Sequence, residues 1–272
     1  MGKRRLDTLL AERGLFPSRS RAAASVMAGE VRLGTEGRRA AKPGELVEEA
    51  ELLQVRQPPE FVSRGGIKLA NALASSGLDV QGRRALDVGA STGGFTDCLL
   101  QRGAREVIAV DVGYGTLAWT LRSDPRVSVM ERTNARALTP QMLPAPSSGE
   151  AFRPDLATID VSFISLTKVL PAVLGCLGES YDVLALVKPQ FEVGRGRVGK
   201  GGVVRDPAER RAALVGVGRA AIALGASVIG YHSSGLPGPK GNRETFLWLT
   251  DRAPAPAGER RELEEMAREV EP

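Results

Sequence analysis

The chain has 272 residues, of which 42% are hydrophobic and 25% charged, as expected of a globular protein with one large domain or a medium domain plus a small one. Its two cysteines, Cys98 and Cys176, lie in apolar helical patterns without ligand-spaced partners, which argues against a disulfide framework or a zinc site. Neither a signal peptide nor a membrane span is recognisable, so a cytoplasmic protein without a membrane association is expected.

The first 56 residues predict a small α+β module. An apolar pattern at helical spacing begins at Leu6 and stops at Gly14, and Ser18 and Gly29 are placed to cap the two ends of a second helix. Short alternating stretches separated by turn residues then predict a small sheet.

Positive charge is concentrated in this module. The net charge of the chain is +5, and residues 1–42 contain ten Lys or Arg against four Asp or Glu. Such a local excess suits a polyanion such as nucleic acid, although a solvated basic face explains it equally well on charge alone.

The rest of the chain predicts a linker, an α/β domain and a tail. Residues 57–66 contain adjacent prolines and are expected to be an extended linker. Over residues 67–252 helical and strand patterns alternate, which predicts a mostly parallel sheet with an antiparallel last pair of strands. Residues 253–272 are a Pro/Ala spacer and a charged segment, either a short docked helix or a frayed tail.

A glycine-rich loop in "LDVGASTGGFTDCLL", residues 86–100, connects a predicted strand to a predicted helix. The spacing of Gly89, Gly93 and Gly94 is not that of a dinucleotide fingerprint, which removes the main support for hydride transfer. The loop still allows a ligand to approach the backbone, and Asp111 after the next strand is placed to bind a ribose hydroxyl pair. A tight turn without a ligand is the alternative.

A second glycine-rich stretch, "GRGRVGKG" at residues 194–201, has the glycine and lysine spacing of a phosphate-binding loop. Gly201, however, stands where Ser or Thr must hold magnesium, and no helix follows directly. The stretch is therefore interpreted as a mobile basic flap whose Arg195, Arg197 and Lys200 contact phosphates.

Four charged residues are expected at one edge of the sheet. Asp160 and Lys188 end strands, Glu244 begins the last strand, and Lys68 lies on the helix that enters the domain. Each alone is better explained as part of a surface ion pair, but two lysines with two carboxylates form the balanced set that a partly buried site requires.

These motifs resemble those of the TlyA (hemolysin A) family, in which an S4-type RNA-binding domain precedes an FtsJ-like S-adenosylmethionine-dependent methyltransferase domain. The resemblance rests on "SRGGIKL", the glycine loop, "ERTNAR", "DVSFISL", "LVKPQFEVGRGRVGKGGVVRD" and "GPKGNRETFLWL", and on "RLDTLLAERGLFPSRSRAA" for the S4 part. It implies a Rossmann-like class I methyltransferase, with a mostly parallel seven-stranded sheet and helices on both faces, joined to a small N-terminal S4 domain.

The resemblance also implies an activity, methylation of a ribose 2′-hydroxyl in 16S or 23S ribosomal RNA, on cytidines. Its cofactor would be S-adenosylmethionine, its partners ribosomal RNA and ribosomal subunits, and the protein a monomer without a metal. The family's catalytic tetrad maps onto Lys68, Asp160, Lys188 and Glu244.

The remaining site residues are also carried over from the resemblance and from the charge pattern. The cofactor-binding residues would be Asp87, Gly89, Ala90, Ser91, Thr92, Gly93, Gly94, Phe95, Asp111, Asn134 and Asp160. The RNA-binding residues would be Lys3, Arg4, Arg5, Arg19, Arg21, Arg64, Arg195, Arg197 and Lys200.

The chemistry is consistent with these residue types. A 2′-hydroxyl must lose its proton as it attacks, and lysine serves as the base only when burial or a neighbouring cation lowers its pKa. Lys188, at the end of an apolar strand, is expected to be the base, with Lys68 holding the hydroxyl and the carboxylates orienting both lysines. The alternatives are a membrane-damaging haemolysin and a non-catalytic ribosome-assembly factor, whereas His232 is expected to be structural.

Overall fold

The computed structural model describes residues 2–55, 59–145, 153–251 and 262–271. The chain separates into two compact units, Met1–Pro59 and Glu60–Pro272. Among the described residues, no helix is long and apolar enough to cross a membrane.

The first unit is a small α+β module with a core of its own. Its elements are β1 (Lys3–Arg5), α1 (Leu6–Glu12), α2 (Arg19–Ala28), β2 (Val31–Leu33), β3 (Arg38–Arg39), β4 (Leu46–Glu48) and β5 (Leu53–Val55). The strands form two antiparallel sheets, β1 with β4 and β2 between β3 and β5. The predicted caps of α2 are confirmed, since the Ser18 hydroxyl accepts from the Arg21 N–H and Gly29 ends the helix with φ 79°.

The second unit is the α/β domain. Its strands are β6 (Arg84–Val88), β7 (Glu106–Val110), β8 (Val127–Met130), β9 (Leu156–Ile159), β10 (Asp182–Val187), β11 (Ser227–Ser233) and β12 (Thr245–Thr250). Its helices are α3 (Arg64–Ser76), α4 (Gly94–Gln101), α5 (Trp119–Arg122), α6 (Leu170–Cys176), α7 (Pro189–Glu192), α8 (Pro207–Ala223) and α9 (Leu263–Val270).

The seven strands form one sheet in the order β11-β12-β10-β9-β6-β7-β8. The strands from β10 to β8 are parallel, and β12 runs antiparallel to both of its neighbours, β10 and β11. The predicted antiparallel finish is therefore confirmed. Side chains alternate between the faces, because Leu86 and Val88 pack with α6 and α8 whereas Ala85 packs with α3 and α4.

The domain begins earlier than the sequence pattern predicts. Helix α3 starts at Arg64, where the Ser63 side chain accepts from the Gly65 N–H, although residues 57–66 were expected to be a linker. Residues 57 and 58 of that linker lie outside the described residues. Gly66 is a packing glycine, since a Cβ there would lie 2.2 Å from the ring of the buried Phe61.

The C-terminal segment contains a docked helix. Residues 253–261 and 272 of the predicted tail lie outside the described residues. Helix α9 buries Leu263, Met266 and Ala267. Part of its packing depends on α8, where a Cβ at Gly218 would lie 3.2 Å from Leu263. Of the two alternatives for this segment, the docked helix is confirmed.

Candidate active site

The glycine loop brings the ends of two parallel strands unusually close. Gly89 has φ 87°, and a Cβ there would lie 2.4 Å from the carbonyl oxygen of Asp160, so β6 and β9 can approach only with glycine at this position. Gly93, with φ 97°, makes similar room for the Leu121 side chain. The loop consequently offers bare backbone at the carboxyl edge of the sheet, where ligands bind in folds of this class.

Asp111 fixes this loop from the neighbouring strand. One carboxylate oxygen accepts from the Ser91 N–H at 2.7 Å, and the other accepts from the Gly113 N–H at 2.6 Å. A carboxylate has about four lone-pair positions, so both oxygens can still accept from a further donor such as a hydroxyl.

Two cavities flank the loop, and both are lined by Gly89, Ser91 and Asp160. The lysine cavity, of about 370 Å³, is lined by Ser63, Arg64, Gly65, Lys68, Gly89, Ala90, Ser91, Thr92, Gly94, Phe95, Asp160, Pro237 and Pro239. The asparagine cavity, of about 480 Å³, is lined by Gly89, Ser91, Val110, Asp111, Val112, Thr133, Asn134, Ala135, Arg136, Asp160, Val161, Ser162, Phe163, Ile164 and Val169. Most of the residues predicted to bind a cofactor therefore face one continuous cleft.

Asp87 and Gly93 are the predicted cofactor residues that line neither cavity. Asp87 is fully buried, and its two carboxylate oxygens accept from the hydroxyls of Thr96 at 2.6 Å and Thr158 at 3.0 Å. Burial raises the pKa of the Asp87 carboxyl to about 6 despite these two hydrogen bonds. Through these hydrogen bonds Asp87 connects β6 to α4 and to β9, and this connection supports the loop between β6 and α4.

The four predicted catalytic residues form two lysine–carboxylate pairs. Lys68 Nζ lies 2.5 Å from Glu244 Oε2, and both side chains are at least nine-tenths buried. Lys188 Nζ lies 2.5 Å from Asp160 Oδ1 and donates to Ser162 Oγ at 3.0 Å. Lys68 and Asp160, one member of each pair, line the lysine cavity together.

An aromatic pair near the ends of β9 and β10, with one exposed member, was missed by sequence reasoning. Phe163 is 92% exposed and has φ 65°, an unusual backbone conformation for an aromatic residue. Its ring centroid lies 5.4 Å from that of Phe191, three residues beyond Lys188. The only signal was a Phe shortly after each of two strand ends, in "DVSF" and "KPQF", a weak signal in a chain with seven Phe.

The predicted RNA-binding residues of the first unit fall into two groups. Arg5 and Arg19 lie 2.9 and 3.1 Å from the buried Asp7, and these contacts, with Arg5 the stronger, hold the pKa of Asp7 well below its usual range. Arg4 pairs with Glu12 at 2.7 Å. Lys3 and Arg21 are exposed and form no ion pair with the described residues. These two are thus the freest of the set for a phosphate.

The predicted RNA-binding residues of the second unit differ in the partners they contact. Arg64 lines the lysine cavity and donates to the Pro237 carbonyl at 3.2 Å. Arg197 donates to the Val193 carbonyl at 2.7 Å and pairs with Glu209 at 3.0 Å, whereas Lys200 is exposed. The side chain of Arg195 lies outside the described part of the chain.

Comparison with known proteins identifies the family. The profile of the FtsJ-like methyltransferase family matches residues 61–251, and that of the S4 domain matches residues 4–53. The 16S/23S rRNA (cytidine-2′-O)-methyltransferase TlyA of Mycobacterium tuberculosis is 52% identical over 92% of this chain and 91% of its own length. The chain belongs to the TlyA family of FtsJ-like methyltransferases.

Other TlyA-type relatives agree with this assignment. Hemolysin A of Brachyspira hyodysenteriae is 38% identical over 88% of this chain and 97% of its own. A solved structure from Streptococcus thermophilus has a TM-score of 0.69 at 40% identity, covering 99% of this chain and 96% of that one. The predicted family, its fold class and its S-adenosylmethionine-dependent methyltransferase activity are confirmed.

Proposed function

We propose that the protein methylates a ribose 2′-hydroxyl, on cytidine, in 16S or 23S ribosomal RNA, with Lys188 as the general base. The observation that carries this proposal is the pair of lysine–carboxylate contacts at the cleft beside the glycine loop. The name of the Mycobacterium tuberculosis relative, a 16S/23S rRNA (cytidine-2′-O)-methyltransferase, supports the same substrate.

The residues of the cleft fit S-adenosylmethionine. The open backbone at Gly89 and Ser91 allows close approach, the Asp111 carboxylate retains acceptor capacity for a ribose diol, and Asn134 lines the same cavity with an amide suited to adenine. When bound, S-adenosylmethionine supplies an electrophilic methyl group on a positively charged sulfur.

The lysines would manage the proton of the acceptor hydroxyl. Lys188 Nζ takes the proton of the 2′-hydroxyl as its oxygen attacks the methyl group, and the Asp160 carboxylate stabilises the ammonium that results. That ammonium has three N–H donors; one donates to Ser162 and one serves the contact with Asp160, which leaves a third for the acceptor. Lys68, held by Glu244, donates to the acceptor oxygen and fixes its position.

The exposed basic groups that form no ion pair within the described part of the chain would bind the RNA backbone. Lys3 and Arg21 on the first unit, and Lys200 on the second, are the residues best placed to neutralise phosphates. The partner would be a ribosomal subunit or its RNA.

Methyl transfer from radiolabelled S-adenosylmethionine to unmethylated 16S and 23S RNA tests the proposal. In Lys188→Ala we expect kcat to fall by about 10²- to 10⁴-fold, because the base is removed, while the Kd for S-adenosylmethionine stays unchanged. Lys168→Ala, an exposed lysine after the same cleft strand β9, is the matched control and should be fully active.

Two outcomes would contradict the proposal. If Lys188→Ala retains the wild-type kcat, Lys188 is not the base; if the wild type transfers no methyl group to either RNA, the activity itself is wrong. Lysis of erythrocytes by wild type and Lys188→Ala alike would instead support the haemolysin alternative.

A further inference from the structure

Glu271, directly after helix α9, is a buried carboxylate outside the catalytic residues. It is 3% exposed, and its Oε2 accepts from Arg210 Nε at 2.9 Å and lies 3.5 Å from Arg243 Nη1. Its backbone carbonyl accepts from Arg211 at 3.1 Å. Three arginines therefore converge on one residue, although burial of a carboxylate is costly unless the position matters.

Arg243, one of these three arginines, directly precedes Glu244 in the chain. Of the consecutive residues Asn242, Arg243 and Glu244, each contacts a different part of the domain. Asn242 is 2% exposed, and its amide accepts from the Val204 N–H at 2.9 Å and donates to the Gly202 carbonyl at 2.8 Å. The segment 242–244 therefore joins the basic glycine-rich loop, the end of α9 and the Lys68–Glu244 pair.

The contacts of Arg210 reinforce this arrangement. Besides its bond to Glu271, Arg210 donates to the carbonyl of Arg205 at 2.6 Å. Arg205 directly follows Val204, whose N–H donates to Asn242. Asn242 and Arg210 therefore both hold the backbone of residues 204 and 205, which follow the glycine-rich loop. Glu271 is the carboxylate that binds Arg210 in this cluster.

A cavity lies between the start of β12 and the end of α9. Its volume is about 360 Å³, and its lining includes Ser234, Arg243, Glu244, Val270 and Glu271. On the opposite side Glu244 is closely confined, because a Cβ at Gly238 would lie 2.4 Å from its Oε1. A cavity leaves fewer van der Waals contacts on its lining, so the Arg243–Glu271 ion pair adds to the hydrogen bonds that the backbone carbonyls of Asn242 and Glu244 accept from Gly238 and Ser234.

We propose that Glu271 is a positioning residue for methyl transfer, which holds segment 242–244 through Arg243 and Arg210 and so fixes the Lys68–Glu244 pair. It touches neither substrate nor cofactor, and its role depends on the proposed function of that pair. Losing the carboxylate would let Glu244 and Lys68 drift, and a misplacement on the order of 1 Å can cost about 10²-fold in rate.

Glu271→Gln tests this inference, with Glu264→Gln as the matched control. Glu264 lies on the same helix and pairs with Arg219, but both of these side chains are exposed. For Glu271→Gln we expect kcat with ribosomal RNA, per folded molecule, to fall by about ten- to a hundredfold, with the Kd for S-adenosylmethionine unchanged. Glu264→Gln should match the wild type in both.

Arg243 supplies a second variant. Its side chain is 65% exposed, so replacing it disturbs the buried interior less than replacing Glu271 does. Arg243→Gln should lower kcat in the same direction, and Arg243→Lys, which keeps the cation, should recover part of the loss. A purely structural role for Glu271 would lower the melting temperature without this effect on kcat.

The inference is overturned if Glu271→Gln, or Arg243→Gln where the former fails to fold, keeps the wild-type kcat. That result differs from failure of the proposed function, in which the wild type itself would transfer no methyl group.

Discussion

Two charged pairs at opposite ends of the central sheet differ in their access to solvent: Arg84–Glu106 at the amino end is enclosed, and Lys188–Asp160 at the carboxyl end is partly exposed. At the amino end, Arg84 on β6 pairs with Glu106 on β7 at 2.9 Å, with side chains only 2% and 5% exposed. Arg84 also donates to the Pro144 carbonyl at 2.7 Å. At the carboxyl end, the Lys188 and Asp160 side chains are 11% and 23% exposed, and Asp160 lines the cleft.

The difference concerns what each pair can still do. Arg84 and Glu106 are enclosed, so their contacts can only hold strands together. At the carboxyl end, Lys68 and Asp160, one member of each pair, line the lysine cavity. Burial of a charge pair therefore does not by itself indicate a catalytic site, and an accessible side on a buried pair is the better criterion.

Matched carboxamide substitutions at the two ends test this comparison. Glu106→Gln removes the carboxylate that pairs with the buried Arg84, and we expect the free energy of unfolding to fall by about 3–5 kcal/mol while kcat per folded molecule is retained. Asp160→Asn should show the reverse, a loss of about a hundredfold or more in kcat with little change in stability, because water can reach its partner Lys188.

Urea denaturation and methyl-transfer assays on the same preparations measure both effects. A loss of kcat in Glu106→Gln equal to that in Asp160→Asn would show that the two ends are not functionally distinct.

Asp87, between the two ends, is enclosed like Glu106 but has no cation beside it. Its carboxyl pKa is raised from 3.8 to about 6, so its ionisation in the folded state opposes folding. The stability it contributes is complete below pH 3.8 and is lost as the pH rises through about 6, an effect of about 3 kcal/mol at 1.36 kcal/mol per pKa unit.

Asp87→Asn removes that titration and keeps the shape of the side chain. We expect the free energy of unfolding of the wild type, minus that of D87N, to decrease between pH 4 and 7 and then to level off. Urea melts across this range measure the difference, in which other titrating groups cancel. A difference that is independent of pH would show that Asp87 does not carry a raised pKa.

Much of this site could be predicted from the sequence, because the carboxyl ends of parallel strands meet at one edge. Asp160 and Lys188 end neighbouring strands, and "LDVGASTGG" marks the loop between β6 and α4. The choice of partners could not be predicted, since Lys68 pairs with Glu244, 176 positions away, through tertiary packing. Nothing in the sequence distinguishes that pairing from the alternative one.

The linker boundary was predicted too late for a local physical reason. The adjacent prolines indicate an extended segment over residues 57–66, but Gly66 lies in α3 and makes room for Phe61 inside the domain. The contacts of Asp87 could not be predicted from the loop motif, because its hydrogen bonds with Thr96 and Thr158 depend on how α4 and β9 pack against β6.

The contrast between open and enclosed groups extends to the aromatic residues. Phe246 is fully buried beside Phe95, whereas Phe163 is 92% exposed at the rim of the cleft. We expect Phe163→Ala to raise the KM for ribosomal RNA, because base–aromatic stacking is worth about 1–3 kcal/mol per base. Trp119→Ala, equally an exposed aromatic but one that lines neither cavity, is the control and should leave KM unchanged. Equal KM values for both variants would show that its position at the cleft does not distinguish Phe163 from another exposed aromatic residue.

The smallest expected effect concerns arginines of the first unit. Arg21 is exposed without an ion pair among the described residues, whereas the guanidinium of Arg5 contacts Asp7. We expect Arg21→Gln to reduce the slope of log K against log[salt] for RNA binding by about one, since one phosphate contact is lost. Arg5→Gln should instead lower the melting temperature and leave the slope unchanged, because its charge is already neutralised by Asp7.

Filter binding between 50 and 200 mM salt, the range over which about six to ten phosphate contacts change affinity strongly, resolves the two slopes. A reduced slope in Arg5→Gln would mean that Arg5 contacts a phosphate despite its ion pair with Asp7.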